Sequence, residues 1–311
     1  MKLRTAVIGV GYLGRFHAQK YLNNPATELV GVCDARFEQA QTVAQELRTQ
    51  AFARPQDLLG KVDAVTVAAS TQAHYEVGKL FLEAGIPVNL EKPLAATLGQ
   101  AEELVNLASR QNVVLCTGHI ERFNPSLREL KGCLRQPRAL DLIRHTGFRA
   151  RGADVSVLHD LMIHDLDLVL WLTGAEVKNF SASGVKVLQP TWDAAEVCLE
   201  LSTGAMARIS ASRVSHQPLR QVRVLQEGES ITVDSGALTL EVTRAAAAGS
   251  VDPLAISKKQ IDKTDALQAE TDAFVAAVLG QAPPVVTGAD GLKALELVTQ
   301  IDQALQRGQA Q

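Results

Sequence analysis

The sequence predicts an α/β protein whose first half is a doubly wound parallel sheet and whose second half is built on an antiparallel one. Three observations carry this. Residues 7–14 read Val-Ile-Gly-Val-Gly-Tyr-Leu-Gly, and Asp34 closes a second apolar run, Leu29-Val-Gly-Val-Cys-Asp34, twenty positions after Gly14. Over the first 118 residues, β-rich runs near 3–9, 28–33, 62–67, 86–90 and 112–116 alternate with helical patterns near 12–23, 36–48, 73–84 and 97–110. That is βαβ periodicity. From about residue 180 the texture becomes alternating, as in Val197-Cys-Leu-Glu-Leu201, Ala207-Arg-Ile-Ser-Ala211 and Val222-Arg-Val-Leu225, with turn signals at Ser202-Thr-Gly204 and Asp234-Ser-Gly236. Alternation of this kind marks an antiparallel sheet with one face in water.

In the first element each glycine has its own physical reason. Gly9 permits the tight turn out of the strand, Gly11 lacks the Cβ that would block a pyrophosphate, and Gly14 lets the next helix pack closely on the strand. The helix N-terminus then faces the phosphates, and Asp34 stands where a carboxylate bonds ribose hydroxyls. Gly9, Gly11, Tyr12, Leu13, Gly14 and Asp34 therefore predict a dinucleotide site. The Asp34 charge predicts NAD, because it repels a 2′-phosphate; Arg36, two residues on, is the feature that would admit NADP instead. The near-continuous apolar run Ala64-Val-Thr-Val-Ala-Ala69 suits a strand covered on both faces. Between the halves, residues 153–173 read as an apolar helix preceded by an Arg-rich stretch, and the chain closes with helical patterns near 264–279 and 288–307.

Composition narrows the partners. The chain has 311 residues, 46% of them hydrophobic, which is enough for two domains with sizeable cores. A formal net charge of −3 and a pI near 6.2 argue against nucleic acid or an anionic membrane, both of which demand a concentrated positive field. A small molecule is the expected partner. Cys33, Cys116, Cys133 and Cys198 are far apart with no CxxC, so neither a zinc site nor a disulfide framework is indicated. No apolar run approaches the roughly eighteen residues of a membrane span, and the N-terminus runs straight into the first strand, so a soluble, cytoplasmic protein is expected.

Two constellations carry chemistry. Asn89-Leu-Glu91-Lys92-Pro93 falls at the carboxyl end of a strand, where a doubly wound sheet presents its ligands, and Pro93 stiffens the setting of Lys92. Asp160-Leu-Met-Ile-His164 has the i, i+4 spacing that puts carboxylate and imidazole on one helical face, with Asp167 continuing the stripe and His159 and Asp165 off it. A carboxylate one turn from a histidine orients the ring for proton transfer near neutral pH. The alternatives are a solvated lysine and an ion pair on an amphipathic helix. Asp160, His164 and Asp167 lack a metalloenzyme spacing, and no metal is expected.

Gly9-x-Gly11-x-x-Gly14 with His17, Glu91-Lys92-Pro93, Arg122-Phe123-Asn124-Pro125 and Asp160-x-x-x-His164-Asp165-x-Asp167, in this order, resemble the glucose-fructose oxidoreductase, inositol dehydrogenase and MocA (Gfo/Idh/MocA) family over nearly the whole chain. The resemblance implies a Rossmann domain at residues 1–119 and a C-terminal α/β domain at 120–311. The second domain would bind substrate and, through a large, mostly antiparallel sheet, form a homodimer or homotetramer. It also implies NAD(P)-dependent oxidation of a sugar or cyclitol hydroxyl, with Lys92, Asp160 and His164 as the catalytic group. Glu91, Ser70, Thr71 and His74 would lie beside the cofactor. His74 also fits a polar residue at a helix start, and for His17 the equal alternative to a family role is the exposed face of the first helix.

Within that family, Gly118-His-Ile-Glu-Arg-Phe-Asn-Pro125, the run from Asp154 to Asp167, and Ala211-Ser-Arg-Val-Ser215 with Arg220-Gln-Val-Arg223 resemble the group that oxidises the 3-hydroxyl of UDP-N-acetylglucosamine. His159 departs from it, standing where an apolar residue is expected. Arg144, Arg149 and Arg151 precede the catalytic segment, and Arg122, Arg213 and Arg220 lie in the matching motifs. Guanidinium suits bidentate phosphate contact, so Arg122, Arg149, Arg151 and Arg213 are expected to bind the substrate diphosphate, against the alternative of ordinary ion pairs. Oxidising a secondary alcohol needs a base and a positive charge at its oxygen, tasks that His164 and Lys92 divide in either order. A dehydrogenase of a free sugar or inositol, and a dinucleotide-binding protein without catalysis, are the competing readings.

Overall fold

The computed structural model describes residues 1–148, 155–248 and 250–309. In chain order, the first elements are β1 (Leu3–Ile8), α1 (Tyr12–Asn23), β2 (Thr27–Cys33), α2 (Phe37–Leu47), β3 (Gln50–Phe52), β4 (Ala64–Val67), α3 (Thr71–Glu83), β5 (Val88–Glu91), α4 (Leu98–Gln111) and β6 (Leu115–Gly118). There follow α5 (Pro125–Cys133), β7 (Pro137–His145), α6 (Ile163–Thr173), β8 (Val177–Val185), β9 (Ala194–Leu201), β10 (Met206–Ser212) and β11 (Leu219–Gln226). The chain ends with β12 (Glu229–Asp234), β13 (Thr239–Ala245), β14 (Leu254–Gln260), α7 (Ala266–Val278) and α8 (Gly288–Gln309). No helix among the described residues is long and apolar enough to cross a membrane.

Two compact units result. The first comprises Met1–Ile120 and Asp265–Leu295. Its six strands are all parallel, in the order β3-β2-β1-β4-β5-β6, the doubly wound arrangement that the periodicity predicts. Every residue of β4, β5 and β6 is buried, as a sheet covered on both faces requires. A linear boundary after residue 119 leaves out α7, which belongs here because Phe274 and Val275 enter the same apolar cluster as Val7, Val32 and Tyr21. β3 has three residues, too few to show a pattern, and the sequence reading passes over it. Since neighbouring strands run the same way, Gly9–Gly11, Asp34, Ala68–Ser70 and Lys92 emerge along one edge of the sheet.

The second unit comprises Glu121–Thr264 and Glu296–Gln311. Its sheet has eight strands in the order β14-β13-β12-β11-β7-β10-β9-β8, antiparallel at every pairing except β7 with β10. In β9, Ala195, Val197, Leu199 and Leu201 are buried while Glu196, Cys198 and Glu200 are exposed, the alternation read from the sequence. β7, at the centre, has no such clean signature, because the inward row Leu140, Leu142, Arg144 ends in a charge. The apolar helix expected over 153–173 begins within residues that lie outside the description; from Leu158 to Met162 the chain makes a π-helical turn, and regular α-helix starts only at Ile163.

Candidate active site

The glycine loop behaves as its sequence demands. Gly9 has φ +83°, a left-handed conformation that a side chain resists, and a Cβ there would strike Ala69. A Cβ on Gly14 would collide with the Gly9 carbonyl oxygen, so the helix packs on the turn only because residue 14 has none. Around Gly11, the residue preceding α1, there is open space. These features fit a pyrophosphate against the start of α1, whose first residues are Tyr12, exposed, and Leu13. Asp34 Oδ2 accepts the Val10 backbone N–H at 2.9 Å and Oδ1 that of Arg36 at 3.0 Å, while Gln39 Nε2 donates to the Val10 carbonyl at 2.9 Å. The carboxylate is thus locked to the glycine loop, and each oxygen keeps a further lone pair for a ribose hydroxyl. Arg36 is exposed just before α2.

Ser70 is exposed and caps α3, which opens at Thr71. His74 is buried, with Nδ1 2.9 Å from the Pro93 carbonyl and Nε2 3.1 Å from that of Ala69. Burial lowers its pKa, so the neutral ring donates to one of the two. His74 therefore lies between the loop before α3 and the segment after Lys92, its one N–H donating to one of the two carbonyls at a time. Lys92, half-buried beyond β5, precedes a cis peptide to Pro93 and donates its backbone N–H to Glu91 Oε2 at 3.2 Å.

For His17 the alternative of an exposed helix face is not realised. It is wholly buried, with Nε2 2.8 Å from Glu91 Oε1. A Cβ on Gly118 would come within 2.9 Å of that Glu91 carboxylate. Glu270 and Asn89, bonded at 3.0 Å and both buried, complete the surroundings, and the sequence reading missed Glu270 altogether. A signal existed, because Leu267, Glu270, Thr271 and Phe274 form one buried stripe of α7 with a carboxylate inside it.

In the second unit Asp160 lies in the π-helical turn and His164 in the first turn of α6, both half-buried, as is His159. The α-helical stripe assumed from their spacing is thus interrupted between them, a distortion common at functional sites. Asp167 does not continue it as an open group. Arg122 binds it bidentately, Nε to Oδ2 at 2.9 Å and Nη2 to Oδ1 at 2.6 Å, both residues buried. Arg144 is held likewise between Asp165 and Glu121. Burial pushes Glu121 up, but the Arg144 charge and hydrogen bond outweigh it and leave the carboxyl below its ordinary range.

Arg213 bonds Asp193 Oδ1 at 2.7 Å, Thr191 Oγ1 at 2.7 Å and the Val155 carbonyl. Burial would raise the Asp193 carboxyl, but three backbone N–H groups and Arg213 outweigh it and push it down to about 2. Buried ion pairing, the plainer alternative, is therefore where the structure places Arg122 and Arg213. Arg149 and Arg151 lie outside the described residues, and Arg220 is exposed on β11.

Comparison with known proteins follows the same division. Residues 3–119 match the profile of an oxidoreductase family with an NAD-binding Rossmann fold, Gfo/Idh/MocA, and residues 126–233 match the Gfo/Idh/MocA C-terminal domain. The chain is 37% identical over 308 residues to a UDP-N-acetylglucosamine 3-dehydrogenase of Acidithiobacillus ferrooxidans, covering 98% of this chain and 97% of that one. It is 31% identical over 255 residues to the myo-inositol dehydrogenase Hyg17 of Streptomyces leeuwenhoekii, covering 75% and 77%. The solved structure of the A. ferrooxidans UDP-N-acetylglucosamine 3-dehydrogenase GnnA superposes with a TM-score of 0.91 at 36% identity, covering 98% of each chain. The chain belongs to the Gfo/Idh/MocA oxidoreductase family and carries its NAD-binding Rossmann fold.

Proposed function

We propose that this oxidoreductase oxidises the C3 hydroxyl of a UDP-N-acetylhexosamine to a ketone with NAD. The observation that carries this reading is the end-to-end likeness to the A. ferrooxidans enzyme, together with Lys92, Asp160 and His164 at the expected motif positions. NAD, held by Gly9, Gly11, Gly14 and Asp34, supplies a hydride acceptor when bound. His164, oriented by Asp160, takes the hydroxyl proton, and the Lys92 ammonium stabilises negative charge developing on the oxygen. The opposite division, with Lys92 as base, uses the same groups. Incubation with NAD and UDP-N-acetylglucosamine, with a ketone trap to pull the equilibrium, is expected to give NADH and a 3-keto nucleotide sugar.

One observation favours a second reading, oxidation of a free sugar or inositol. Arg122, Arg144 and Arg213, which suggested a diphosphate site, are occupied by carboxylates. Binding of free UDP separates the two, because a polyol dehydrogenase has no use for it. If UDP and UDP-sugars neither bind nor reduce NAD while inositol does, the second reading replaces the first.

Asp34 leads us to expect tighter binding of NADH than of NADPH, measured by fluorescence titration; the reverse order would assign the cofactor to Arg36 and NADP. We further infer self-association through the open face of the large sheet, where Met206 and Leu225 are exposed around a depression of about 330 Å³ with Cys198, Arg208 and Asp141. Light scattering of Met206→Glu, expected to be of lower mass than the parent, tests this. All four cysteines are free, which fits a reducing, cytoplasmic compartment.

A further inference from the structure

A buried cluster of ionisable groups that the proposed chemistry does not use lies immediately before Lys92, within the first unit. His17 on α1, Glu91 at the end of β5 and Glu270 on α7 are buried, with side-chain nitrogen and oxygen atoms all within 4.8 Å of one another. Glu91 Oε1 accepts from His17 Nε2, Glu91 Oε2 accepts the Lys92 backbone N–H, and Glu270 Oε1 accepts from Asn89 Nδ2. Glu270 Oε2 and His17 Nδ1 are buried with no hydrogen-bond partner. Two buried carboxylates so close do not both ionise freely, and the proton falls to the one whose oxygen has no donor to stabilise its charge.

Electrostatics agrees with the geometry. Burial, with the Glu91 charge beside it, pushes Glu270 up to about 7 against the opposing pulls of His17 and Asn89. Burial opposes the charged form of His17, but the hydrogen bond and charge of Glu91, and the charge of Glu270, outweigh it and raise the ring. For Glu91 burial is likewise outweighed, by His17 and then Lys92, and its carboxyl is lowered. Around them, Lys20 on α1 disfavours charge on His17, and His74 on α3 feels Glu91. Tyr21 on α1 and Cys116 on β6, both raised by burial, stay neutral.

We propose that His17, Glu91 and Glu270 are positioning residues, an imidazolium and two carboxylates that retain one further proton on Glu270 and thereby hold Glu91 against the backbone of Lys92. Loss of that proton leaves His17 shared between two carboxylates and loosens Glu91 from the Lys92 N–H. The consequence for cofactor affinity rests on the reading of Lys92 as a residue beside NAD; the location of the proton does not.

Infrared spectroscopy of the full chain, with and without ¹³C-labelled glutamate, tests the proton directly and needs neither substrate nor cofactor. A label-sensitive carboxylic acid band is expected at pH 6, fading through pH 7 to 8, and absent from Glu270→Gln. Titration with NADH should then show affinity falling roughly three- to tenfold over the same range in the parent, and no such step in Glu270→Gln, which keeps the neutral shape at every pH. His17→Asn, a second variant, should lose the step and move the band.

No glutamate band in the parent overturns the proposal, as does a band that titrates while NADH affinity stays constant with pH. A stoichiometric divalent metal in the purified protein, removed by chelator with loss of stability, would put an ion where the proton is proposed and also overturn it. Failure of UDP-sugars to turn over bears only on the substrate and leaves these outcomes decisive.

Discussion

Replacing His164 with alanine, or Lys92 with methionine, is expected to lower kcat by roughly a hundred- to ten-thousandfold, the usual worth of a positioned acid or base. In barrier terms this is about 3–5 kcal/mol. The fold should survive, since both residues are half-buried and neither belongs to the apolar core. Circular dichroism melts near the parent's would establish that, and steady-state rates with UDP-N-acetylglucosamine and NAD give the effect. The pair also settles their division of labour. The variant that abolishes the acidic limb of the pH–rate profile has lost the base, and the one that lowers the plateau while keeping the limb has lost the polarising charge. A folded His164→Ala protein turning over within threefold of the parent would remove His164 from the mechanism, and Asp160 with it.

What the sequence disclosed and what it hid differ in range. The glycine fingerprint was legible because its requirement is local. Gly9 must adopt a positive φ and Gly14 must lack a Cβ against Gly9 itself, so neighbours in the chain state the whole condition. Asp34, tied to Val10 across the adjacent strand, follows from the length of one βα unit. The exposed face stays open as an alternative for His17 because its partner is 74 residues away, and nothing near it in the chain distinguishes a buried ion pair from a solvated helix face.

The use of the arginines is open in the sequence for the same reason. Net charge and clustering describe how many guanidinium groups there are, whereas Asp167, Asp165 and Asp193 determine how three of them are used. Those buried pairs also obscured β7, whose inward row ends in Arg144. The turn at Leu158–Met162 was hidden differently, since a π-helical and an α-helical turn present the same apolar pattern over five residues.

Arg144→Met should strongly destabilise the second unit, by roughly 3–5 kcal/mol. Arg144 is 4% exposed and donates to Asp165 at 2.8 and 2.9 Å and to Glu121 at 2.7 Å. Methionine fills the volume and strands both carboxylates away from water, which is what makes the loss large. A fall in thermal midpoint of roughly 6–20 °C follows. Deprived of Arg144, the two carboxyls have pKa values raised above those of the unfolded chain. Their contribution is then favourable at low pH and is lost as pH rises, so the gap between variant and parent should widen from pH 5 to pH 8. Adding Asp165→Asn and Glu121→Gln to Arg144→Met should recover part of the loss, because uncharged amides cost less to bury. Had Arg144 served a substrate phosphate instead, its replacement would weaken UDP binding and leave stability almost unchanged. A loss below about 1 kcal/mol with no pH dependence, as for an exposed pair, would therefore return this arginine to the substrate.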